Sequence, residues 1–249
     1  MSESRRTTLV ILPTYNEAEN VLGLAQEILS KSGDIDILVV DDNSPDGTGD
    51  LVAEAGKDEL RLGLHRRPGK LGLGTAYLAG FRHALDNGYE RVFTMDCDHS
   101  HNPEHLPAML GASQRYDMVI GSRYVPGGGI ENWPAHRQAL SRFANFYARL
   151  LLGLSVSDCT SGFRCYSRRV LETVDPFTIR ASGYSFLEEM AWRVERCGLT
   201  VTEVPIVFVQ RTAGVSKIDS NEIYRAAWHV LRTAVAPPRL QKPRVLQKQ

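Results

Sequence analysis

The chain has 249 residues, of which 43% are hydrophobic and 23% are charged, and its formal net charge is zero. This balance is typical of a globular enzyme with a sizeable core, and the lack of a basic excess argues against a nucleic-acid partner. No apolar run reaches the roughly 18 residues that a membrane-spanning helix needs. The four cysteines form no Cys-x-x-Cys pair, so we expect reduced thiols in a cytoplasmic protein.

Strands and helices alternate through the first half of the chain. The predicted strands cover 8–12, 35–40, 60–65, 91–95 and 118–121, and the predicted helices cover 18–32, 49–55, 75–87 and the residues from 103 on. Such alternation indicates right-handed β-α-β crossovers and a mainly parallel twisted sheet with helices on both faces, which is a Rossmann-like α/β fold. Ligands of these sheets bind at the carboxyl ends of the strands.

The second half is less regular. Its predicted elements are a long amphipathic helix over 135–152, helices over 186–197 and 220–234, a strand over 201–209, a flexible Gly127–Gly129 loop, and a polar, turn-rich segment over 157–164 before a further strand-like piece. The chain becomes basic and rich in proline from Pro237 on. We therefore predict one domain over residues 1–236 and an extended basic tail over residues 237–249.

Carboxylates follow two of the predicted strands. Asp41 and Asp42 end the second strand, and Asp96-Cys97-Asp98 follows the strand over 91–95. Because carboxyl ends of parallel strands meet at one edge, one crevice is expected to hold both acidic pairs and the Pro13–Glu17 loop. Mg²⁺ and Mn²⁺ use such oxygens to bridge protein and substrate phosphates. Alone, the Asp-x-Asp spacing is a weak signal, because solvated turns contain it often.

Two neighbouring motifs permit other interpretations. His99, His101 and His105 raise a zinc alternative, but no His-Glu-x-x-His frame is present, which makes zinc a weak prediction. The glycine-rich segment Gly69–Gly74 lacks the Lys-Ser/Thr pair of a Walker A loop and does not follow the first strand. It is favoured as the start of a helix, although its backbone amides could still contact phosphate.

Basic side chains concentrate in the second half of the chain. They are Arg123, Arg137, Arg164, Arg211 and Lys217. A solvated face is the ordinary interpretation of scattered charges. The segment from Arg211 to Lys217 differs, because it follows a predicted strand and contains Gly214. A mobile basic loop beside a metal-diphosphate crevice would be placed to close over phosphates.

Several segments occur in the order typical of inverting glycosyltransferases with a GT-A fold. They are Pro13–Glu17, Val40–Thr48, Gly72–Ala76, Met95–Ser100, Gly121–Tyr124, Asp158–Arg164 and Arg211–Lys217. Together, over residues 7–218, they resemble the polyprenol-phosphate (dolichol-phosphate) mannosyltransferases of glycosyltransferase family 2. The resemblance implies a GT-A Rossmann-like fold and metal-dependent transfer of mannose, with inversion, from GDP-mannose to a polyprenyl or dolichyl monophosphate.

The resemblance also implies roles for individual residues. It assigns the nucleotide sugar to Pro13, Tyr15, Glu17, Val40, Asp42, Asp96, Cys97, Asp98, Arg123, Arg211 and Lys217. It assigns Mg²⁺ or Mn²⁺ to Asp96 and Asp98, and the acceptor phosphate to Arg137 and Ser141. The implied catalytic set is Asp98, Arg123, Arg211 and Lys217. Some relatives carry Gln where this chain has Ser100, so the third protein ligand of the metal stays open.

The implied acceptor is a lipid, so the sequence should contain a surface that meets a membrane. An apolar stripe recurs at helical spacing at Leu140, Phe143, Tyr147, Leu150, Leu151 and Leu154, and Arg137, Arg142 and Arg149 lie among these residues. A membrane-docking face and a face packed on the sheet are about equally expected. In the first case the enzyme is peripheral at the cytoplasmic face of the membrane, with a separate membrane protein as a candidate partner.

Other function classes stay open at this point. One is transfer of glucose or another sugar to polyprenyl phosphate. A second is a metal-dependent nucleotidyltransferase or phosphatase that uses the same carboxylates. The last is a nucleotide-binding scaffold without turnover, which the full set of acidic and basic residues argues against.

Overall fold

A seven-stranded sheet forms the centre of the molecule. The computed structural model describes residues 7–181, 183–210, 220–238 and 240. The strands are β1 (Thr8–Thr14), β2 (Ile35–Asp41), β3 (Leu62–Arg66), β4 (Arg91–Thr94), β5 (Met118–Ser122), β6 (Gly129–Glu131), β7 (Arg164–Ser167), β8 (Val201–Pro205) and β9 (Val207–Val209). The helices are α1 (Val21–Lys31), α2 (Thr48–Ala55), α3 (Leu73–Asp86), α4 (Leu106–Ser113), α5 (Ala135–Leu152), α6 (Arg168–Val174), α7 (Tyr184–Arg196) and α8 (Ser220–Val235).

The sheet has the strand order β3-β2-β1-β4-β7-β5-β8. All neighbouring strands run parallel except at β7, which lies antiparallel between β4 and β5. The prediction of a mainly parallel sheet in a Rossmann-like α/β fold is confirmed. Because β7 runs in reverse, the loop that precedes it lies at the same edge as the exits of β4 and β5.

Alternate residues of the strands supply two hydrophobic cores, one on each face of the sheet. In β1, Leu9 and Ile11 pack into the core that α3, α5 and α7 cover. Val10 and Leu12 pack into the other core, under α1 and α4. A strand buried on both faces has no polar side, which explains the unbroken apolar run of β1. The helices on both faces hold the strand ends in fixed positions.

The predicted strand over 201–209 is wrong in one respect, because the structure divides it into β8 and β9. Pro205 ends β8, since proline has no backbone N–H for the sheet. The next residue, Ile206, is buried, and its N–H donates to the Ser122 carbonyl at 2.9 Å. The chain then pairs through β9 with β6 in a separate two-stranded sheet. Gly129, predicted as flexible loop, is therefore the first residue of a strand.

Other boundaries agree more closely with the sequence pattern. Helix α5 spans the predicted residues 135–152, while α1 begins at Val21 because a turn closed on the Glu17 carbonyl precedes it. Helix α6 was not predicted. No helix in the described part of the chain combines the length and apolar character needed to cross a bilayer. The predicted tail after residue 236 lies almost entirely outside the described residues, so it stays a prediction.

The packing of α3 on β1 yields a prediction for a pair of helical glycines. A Cβ atom at Gly80 would lie 2.4 Å from Ile11 Cδ1, whereas one at Gly23 would have no neighbour within 4 Å in the described part of the chain. Gly80→Ala should lower the free energy of unfolding by about 1–3 kcal/mol through overpacking. The control, Gly23→Ala, should raise it by about 0.5–1 kcal/mol, because alanine favours the helix. Urea denaturation measures both, and a stabilised Gly80→Ala variant would contradict the described packing.

Candidate active site

A cavity opens at the carboxyl edge of the sheet, between the loops that follow β4 and β5 and the loop that precedes β7. The space within it that a water molecule can reach is about 80 Å³. Carboxylates, guanidinium groups, hydroxyls and aromatic rings share its wall. These side chains include Asp96, Asp98, Ser100, Arg123, Trp133, Arg137, Thr160 and Phe208. The structure therefore brings both predicted metal ligands and two of the predicted phosphate-binding arginines to one cavity.

The turn after β4 presents the two carboxylates. His99 has a φ of 57°, in the left-handed region, and this bend returns Ser100 to Asp98. The backbone N–H and the hydroxyl of Ser100 donate to Asp98 Oδ1 at 3.1 and 2.5 Å. On the facing loop, a Cβ at Gly162 would lie only 3.5 Å from Asp96 Oδ1. A short, hydrogen-bonded turn thus fixes the acidic wall of the cavity.

His101 supports this turn from the inside. Its Nδ1 accepts the Asp96 backbone N–H at 3.1 Å, and its ring stacks on Phe163 with centroids 5.2 Å apart. Burial lowers the pKa of His101 below its ordinary value, although the nearby carboxylates oppose this shift. The ring is therefore neutral, with its proton on Nε2. His105 likewise accepts a backbone N–H, from Val207 at 3.3 Å. Both histidine rings therefore support backbone segments by accepting their N–H groups. The zinc alternative did not include this role.

The donor set suits a hard divalent cation. Mg²⁺ usually takes one or two carboxylates, keeps several waters and completes its coordination with substrate phosphates. Asp96 and Asp98 supply the carboxylates, while the Ser100 hydroxyl is directed to Asp98. Across the described ranges, no three His, Cys, Asp or Glu side chains are grouped as a metal site. The residues present therefore fit a cation that draws its other ligands from a diphosphate and water.

Arg123 is held rigidly in the opposite wall. Its Nε and Nη2 donate to the two carboxylate oxygens of Asp158, both at 2.7 Å, and Nη2 also donates to Thr160 Oγ1 at 2.7 Å. Burial alone would raise the pKa of Asp158, but the charge and hydrogen bonds of Arg123 outweigh it and lower this pKa. Asp158 was not predicted as a site residue. It does begin Asp158–Arg164, one of the segments that carry the family resemblance.

Arg137 and Ser141, the residues predicted for the acceptor phosphate, lie one turn apart on α5. The Arg137 guanidinium stacks over the Trp133 ring at 4.0 Å and lines the cavity. The Ser141 hydroxyl is 2.7 Å from the Tyr124 hydroxyl. Trp133 was missed by the sequence reasoning, although it stands directly before Pro134, the residue that precedes α5. Its ring gives the arginine a flat, apolar support.

The predicted nucleoside residues lie at the neighbouring strand ends, after β1 and β2. Asp42 is buried and pairs with Arg67, whose Nε lies 2.5 Å from Asp42 Oδ1. The Lys70 ammonium lies 5.0 Å from the centre of the Tyr15 ring. Pro13 and Glu17 are partly exposed on either side of Tyr15. Since β2, β1 and β4 are adjacent in the sheet, this group continues the edge that carries Asp96.

Two predicted contact residues turn their side chains away from this edge. The side chain of Val40 is fully buried in one core, and that of Cys97 is buried in the other. The predicted nucleotide-sugar contacts at these two positions can therefore involve only their backbone atoms. Two further predicted residues, Arg211 and Lys217, lie outside the described residues.

Arg164, one of the basic residues of the second half of the chain, lies neither on a solvated face nor in the cavity wall. Its side chain is fully buried, and it donates to the carbonyls of Cys159, Ser161 and Leu187 at 2.6–2.7 Å. The reversed strand β7 directs this side chain into the core, where the carbonyls satisfy its N–H groups. Arg164 therefore anchors the loop before β7 and does not reach a phosphate.

An α/β domain that gathers paired carboxylates and fixed arginines at its carboxyl edge is typical of enzymes that bind phosphorylated substrates. The sequence pattern of the family described as Glycosyl transferase family 2 matches residues 9–175. The chain belongs to glycosyl transferase family 2 and is a glycosyltransferase, which confirms the resemblance found in its motifs.

Relatives with assigned names cover nearly the whole chain. A polyprenol monophosphomannose synthase from Mycolicibacterium smegmatis is 47% identical over 90% of this chain and 85% of its own length. An undecaprenyl-phosphate mannosyltransferase from Micrococcus luteus is 42% identical over 92% of this chain and 94% of its own length. Both relatives therefore align with at least 90% of this chain.

Solved structures show the same fold at low sequence identity. Glucosyl-3-phosphoglycerate synthase from Mycobacterium tuberculosis, in complex with Mn²⁺, UDP and its product, has a TM-score of 0.66 at 19% identity, covering 93% of this chain and 80% of that chain. A mannosyltransferase from Pyrobaculum calidifontis, in complex with GDP-mannose and Mn²⁺, has a TM-score of 0.55 at 17% identity, covering 94% and 74%. The predicted GT-A fold is confirmed by these likenesses.

A buried carboxyl behind the cavity generates a prediction about pH. Glu188, next to the cavity residue Leu187, is buried, and its Oε2 has no hydrogen-bond partner among the described residues. Burial raises the pKa of Glu188 to about 8, although the charge of Arg164 opposes this shift. The folded protein therefore keeps a proton that the unfolded chain releases above its ordinary pKa of about 4.3. Proton binding to Glu188 therefore contributes to the free energy of unfolding at low pH, and this contribution is lost as the pH rises from about 4.3 towards 8.

Glu188→Gln should remove this dependence, because glutamine keeps the shape and carries no titrating proton. The melting temperature of the variant minus that of the wild type should be larger at pH 8 than at pH 5. Glu27→Gln, on the exposed face of α1, is the matched control and should show no such gain. Thermal unfolding at both pH values decides the matter, and a gain that does not change with pH would show that Glu188 is not held neutral.

Proposed function

We propose that the chain transfers mannose from GDP-mannose to a polyprenyl (dolichyl) monophosphate, with inversion at the anomeric carbon, releasing GDP. The observation that carries this proposal is the single cavity that Asp96 and Asp98 share with Arg123 and Arg137. Two anionic substrates need such a site, with a place for a cation and fixed positive charges. The named activities of the relatives from Mycolicibacterium smegmatis and Micrococcus luteus support this choice of sugar and acceptor.

The acceptor chemistry agrees with the residues present. The attacking group is a phosphate oxygen, which is already ionised near neutral pH, so the reaction needs no strong general base. His101 is neutral, and its Nδ1 accepts a backbone N–H, so it is unsuited to that task. The site must instead align two anions and neutralise charge as the diphosphate leaves.

Asp96 and Asp98 would hold the cation, Mg²⁺ or Mn²⁺. Such a cation, when bound, neutralises the charge that develops on the leaving diphosphate. The Asp98 carboxylate is already oriented by the hydrogen bonds from Ser100, so it requires little reorganisation. The Mn²⁺ in the solved complexes of fold relatives supports this assignment.

The arginines divide the remaining work in the proposed reaction. Arg123, fixed by Asp158, would face the donor phosphates, and Arg137, at the start of α5, would hold the acceptor phosphate. By the family resemblance, Arg211 and Lys217 would complete the set over the donor. Arginine suits these positions because its guanidinium is always charged. Arg137 could bind phosphate oxygens in pairs through its planar fork, whereas the Nε and Nη2 of Arg123 already donate to Asp158 and Thr160. The nucleoside would lie beside Tyr15 and Asp42, with Pro13, Glu17 and the backbone of Val40 and Cys97.

A donor screen tests this proposal directly. GDP-mannose and UDP-glucose, each with a radiolabelled sugar, are offered with a short polyprenyl phosphate, and labelled lipid is measured. Labelled lipid formed from GDP-mannose alone supports the proposal. Transfer only from UDP-glucose would show that the enzyme transfers glucose and not mannose. Release of phosphate or GDP without any lipid acceptor would instead indicate a phosphatase or a related hydrolase.

The membrane part of the proposal has two helices to support it. Leu140, Phe143, Phe146 and Leu150 are exposed on α5, and Tyr224, Trp228, Leu231 and Val235 are exposed on α8. We call these eight residues the apolar surface. The two helices touch, because the Tyr147 hydroxyl donates to the Ala227 carbonyl at 3.2 Å. Exposed apolar surface of this extent marks interaction sites on proteins.

The predicted stripe on α5 is thus divided between both interpretations. Leu154 is buried, while Tyr147 and Leu151 are partly buried against the core. Phe146 and the exposed residues of α8 were not part of the predicted stripe. Exposed arginines accompany the apolar surface at 142, 149, 225 and 232. This mixture suits a bilayer with anionic headgroups, so we propose a peripheral enzyme at the cytoplasmic face of the membrane.

Removal of one metal-binding carboxylate tests the proposed chemistry. Asp98→Ala should lower kcat/KM by about 10²- to 10³-fold, because the charge of the leaving diphosphate would be left unneutralised. The control, Asp58→Ala, changes an exposed carboxylate and should leave turnover unchanged. EDTA should abolish wild-type transfer, and added Mg²⁺ or Mn²⁺ should restore it. Normal turnover of Asp98→Ala in EDTA would remove this residue from the mechanism.

Vesicle binding tests the apolar surface. Phe143→Ser and Trp228→Ser should each weaken co-sedimentation with phosphatidylglycerol vesicles by about tenfold, since each removes an exposed anchor. Arg142→Glu should weaken it further at low salt. Leu60→Ser is the matched control, because Leu60 is 85% exposed and precedes the edge strand β3.

Two results would count against this surface. Wild-type binding by all three variants would place the membrane contact elsewhere on the chain. The wild type could also fail to bind vesicles and still act on long-chain acceptor in native membranes. That result would favour a separate membrane protein as the partner that covers the apolar surface.

A further inference from the structure

A single buried amide, Asn145, connects α5 to the loop that precedes β7. Asn145 is 3% exposed, although its neighbour Phe146 is 60% exposed on the apolar surface. The Oδ1 atom accepts the Cys159 N–H at 2.8 Å and lies 3.2 Å from Cys159 Sγ. The Nδ2 atom donates to the Ser141 carbonyl and to Thr160 Oγ1, both at 3.0 Å. The full hydrogen-bonding capacity of the amide is therefore used.

The orientation of this amide is fixed by its partners. A backbone N–H can only donate, so the atom that faces Cys159 must be the oxygen. A carbonyl can only accept, so the atom that faces Ser141 must be the nitrogen. Both constraints agree, and a rotated amide would break several bonds in a buried setting. The helix and the loop therefore have one register relative to each other.

Thr160 extends this connection to the cavity. Its Oγ1 accepts from Asn145 Nδ2 and from Arg123 Nη2, and it lies 3.2 Å from Asp158 Oδ1. The hydroxyl can donate its hydrogen to that carboxylate, so all its bonding positions are filled. An unbroken chain of bonds therefore runs from α5 through Asn145 and Thr160 to Arg123.

The helix on one side of this chain carries the proposed acceptor residues. Arg137 lies two turns before Asn145 on α5, and Ser141 lies one turn before it. The loop on the other side is held independently of α5. The Glu203 carboxylate accepts the backbone N–H groups of Ser157 and Asp158, and Arg164 ties its later residues to α7. The loop is therefore the fixed reference, and α5 is the element that is placed against it.

We propose that Asn145 is a positioning residue, which sets the distance between Arg137 on the acceptor helix and Arg123 in the donor wall. This inference rests on the proposed function, because it uses the assignment of the two arginines to the two substrates. In-line transfer needs reacting atoms about 3–3.5 Å apart, and a shift of about 1 Å can cost 10²-fold in rate. An amide that touches neither substrate can control that distance.

Asn145→Leu tests this role, since leucine has a similar volume and forms none of the hydrogen bonds. We expect kcat/KM for polyprenyl phosphate to fall about 10²-fold, with a raised acceptor KM. The donor KM should stay unchanged, because Asp158 still holds Arg123. A merely structural role would reduce the active fraction, which lowers apparent kcat and moves neither KM. Asn87→Leu, at an exposed amide after α3, is the matched control.

A second variant covers the case in which Asn145→Leu does not fold. Thr160→Val breaks the same chain of bonds from the loop side and should raise the acceptor KM in the same way. If both variants fold, the effects of Asn145→Leu and Thr160→Val should not add in the double variant. Additive effects, or a wild-type acceptor KM in either single variant, would overturn the inference.

Hydrogen exchange supplies a readout that does not depend on turnover. The Cys159 amide should lose protection in Asn145→Leu and keep it in Asn87→Leu. Equal protection of that amide in wild type and Asn145→Leu would overturn the inference even if activity fell. A wild-type enzyme that transfers no sugar to polyprenyl phosphate would contradict the proposed function. The exchange measurement would still decide whether Asn145 holds the helix to the loop.

Discussion

The buried ion pair between Arg123 and Asp158 is the interaction on which the rest of the cavity depends. Neither partner could be buried alone, because an uncompensated charge in a protein interior costs several kcal/mol. The pair is bidentate, and Thr160 and the backbone N–H of Arg123 complete its hydrogen bonds. The consequence is a guanidinium that cannot rotate or withdraw. A positive charge fixed in this way costs no reorganisation when a phosphate arrives.

The opposite wall follows a different design. Asp96 and Asp98 are close together in sequence and would repel each other without a cation, and only a short turn orients them. Their positions come from a left-handed residue, His99, and from a neutral histidine, His101, that holds the backbone. The acidic wall is therefore prepared for a ligand that brings positive charge. The basic wall is already neutralised in part by Asp158. The acidic wall would therefore meet an anionic substrate through a cation, whereas the basic wall would meet it directly.

The sequence predicted what depends on local pattern. Alternating strands and helices indicated the parallel sheet, and the acids at the strand ends indicated the edge that carries the cavity. What could not be predicted depends on tertiary pairing. The reversal of β7 turned Arg164 inward, and the break at Pro205 moved β9 into a second sheet. The contacts of Asp158 and Asn145 were also not predicted, because a buried polar residue is recognisable only through the partners that satisfy its hydrogen bonds.

Helix α5 has an exposed apolar face and also carries Arg137, whose position in the cavity must be fixed. One buried residue, Asn145, allows the helix to meet both requirements. Its outer face carries Phe143 and Phe146, which stay exposed and, under the proposed function, meet lipid. Its first turns carry Arg137, which must keep its place in the cavity. A helix packed only through apolar contacts could slide, since such contacts are not directional. Hydrogen bonds at Asn145 are directional and buried, so they fix the register of α5 on the loop before β7. The polar contact thus supplies alignment, while the apolar contacts of the core supply most of the stability.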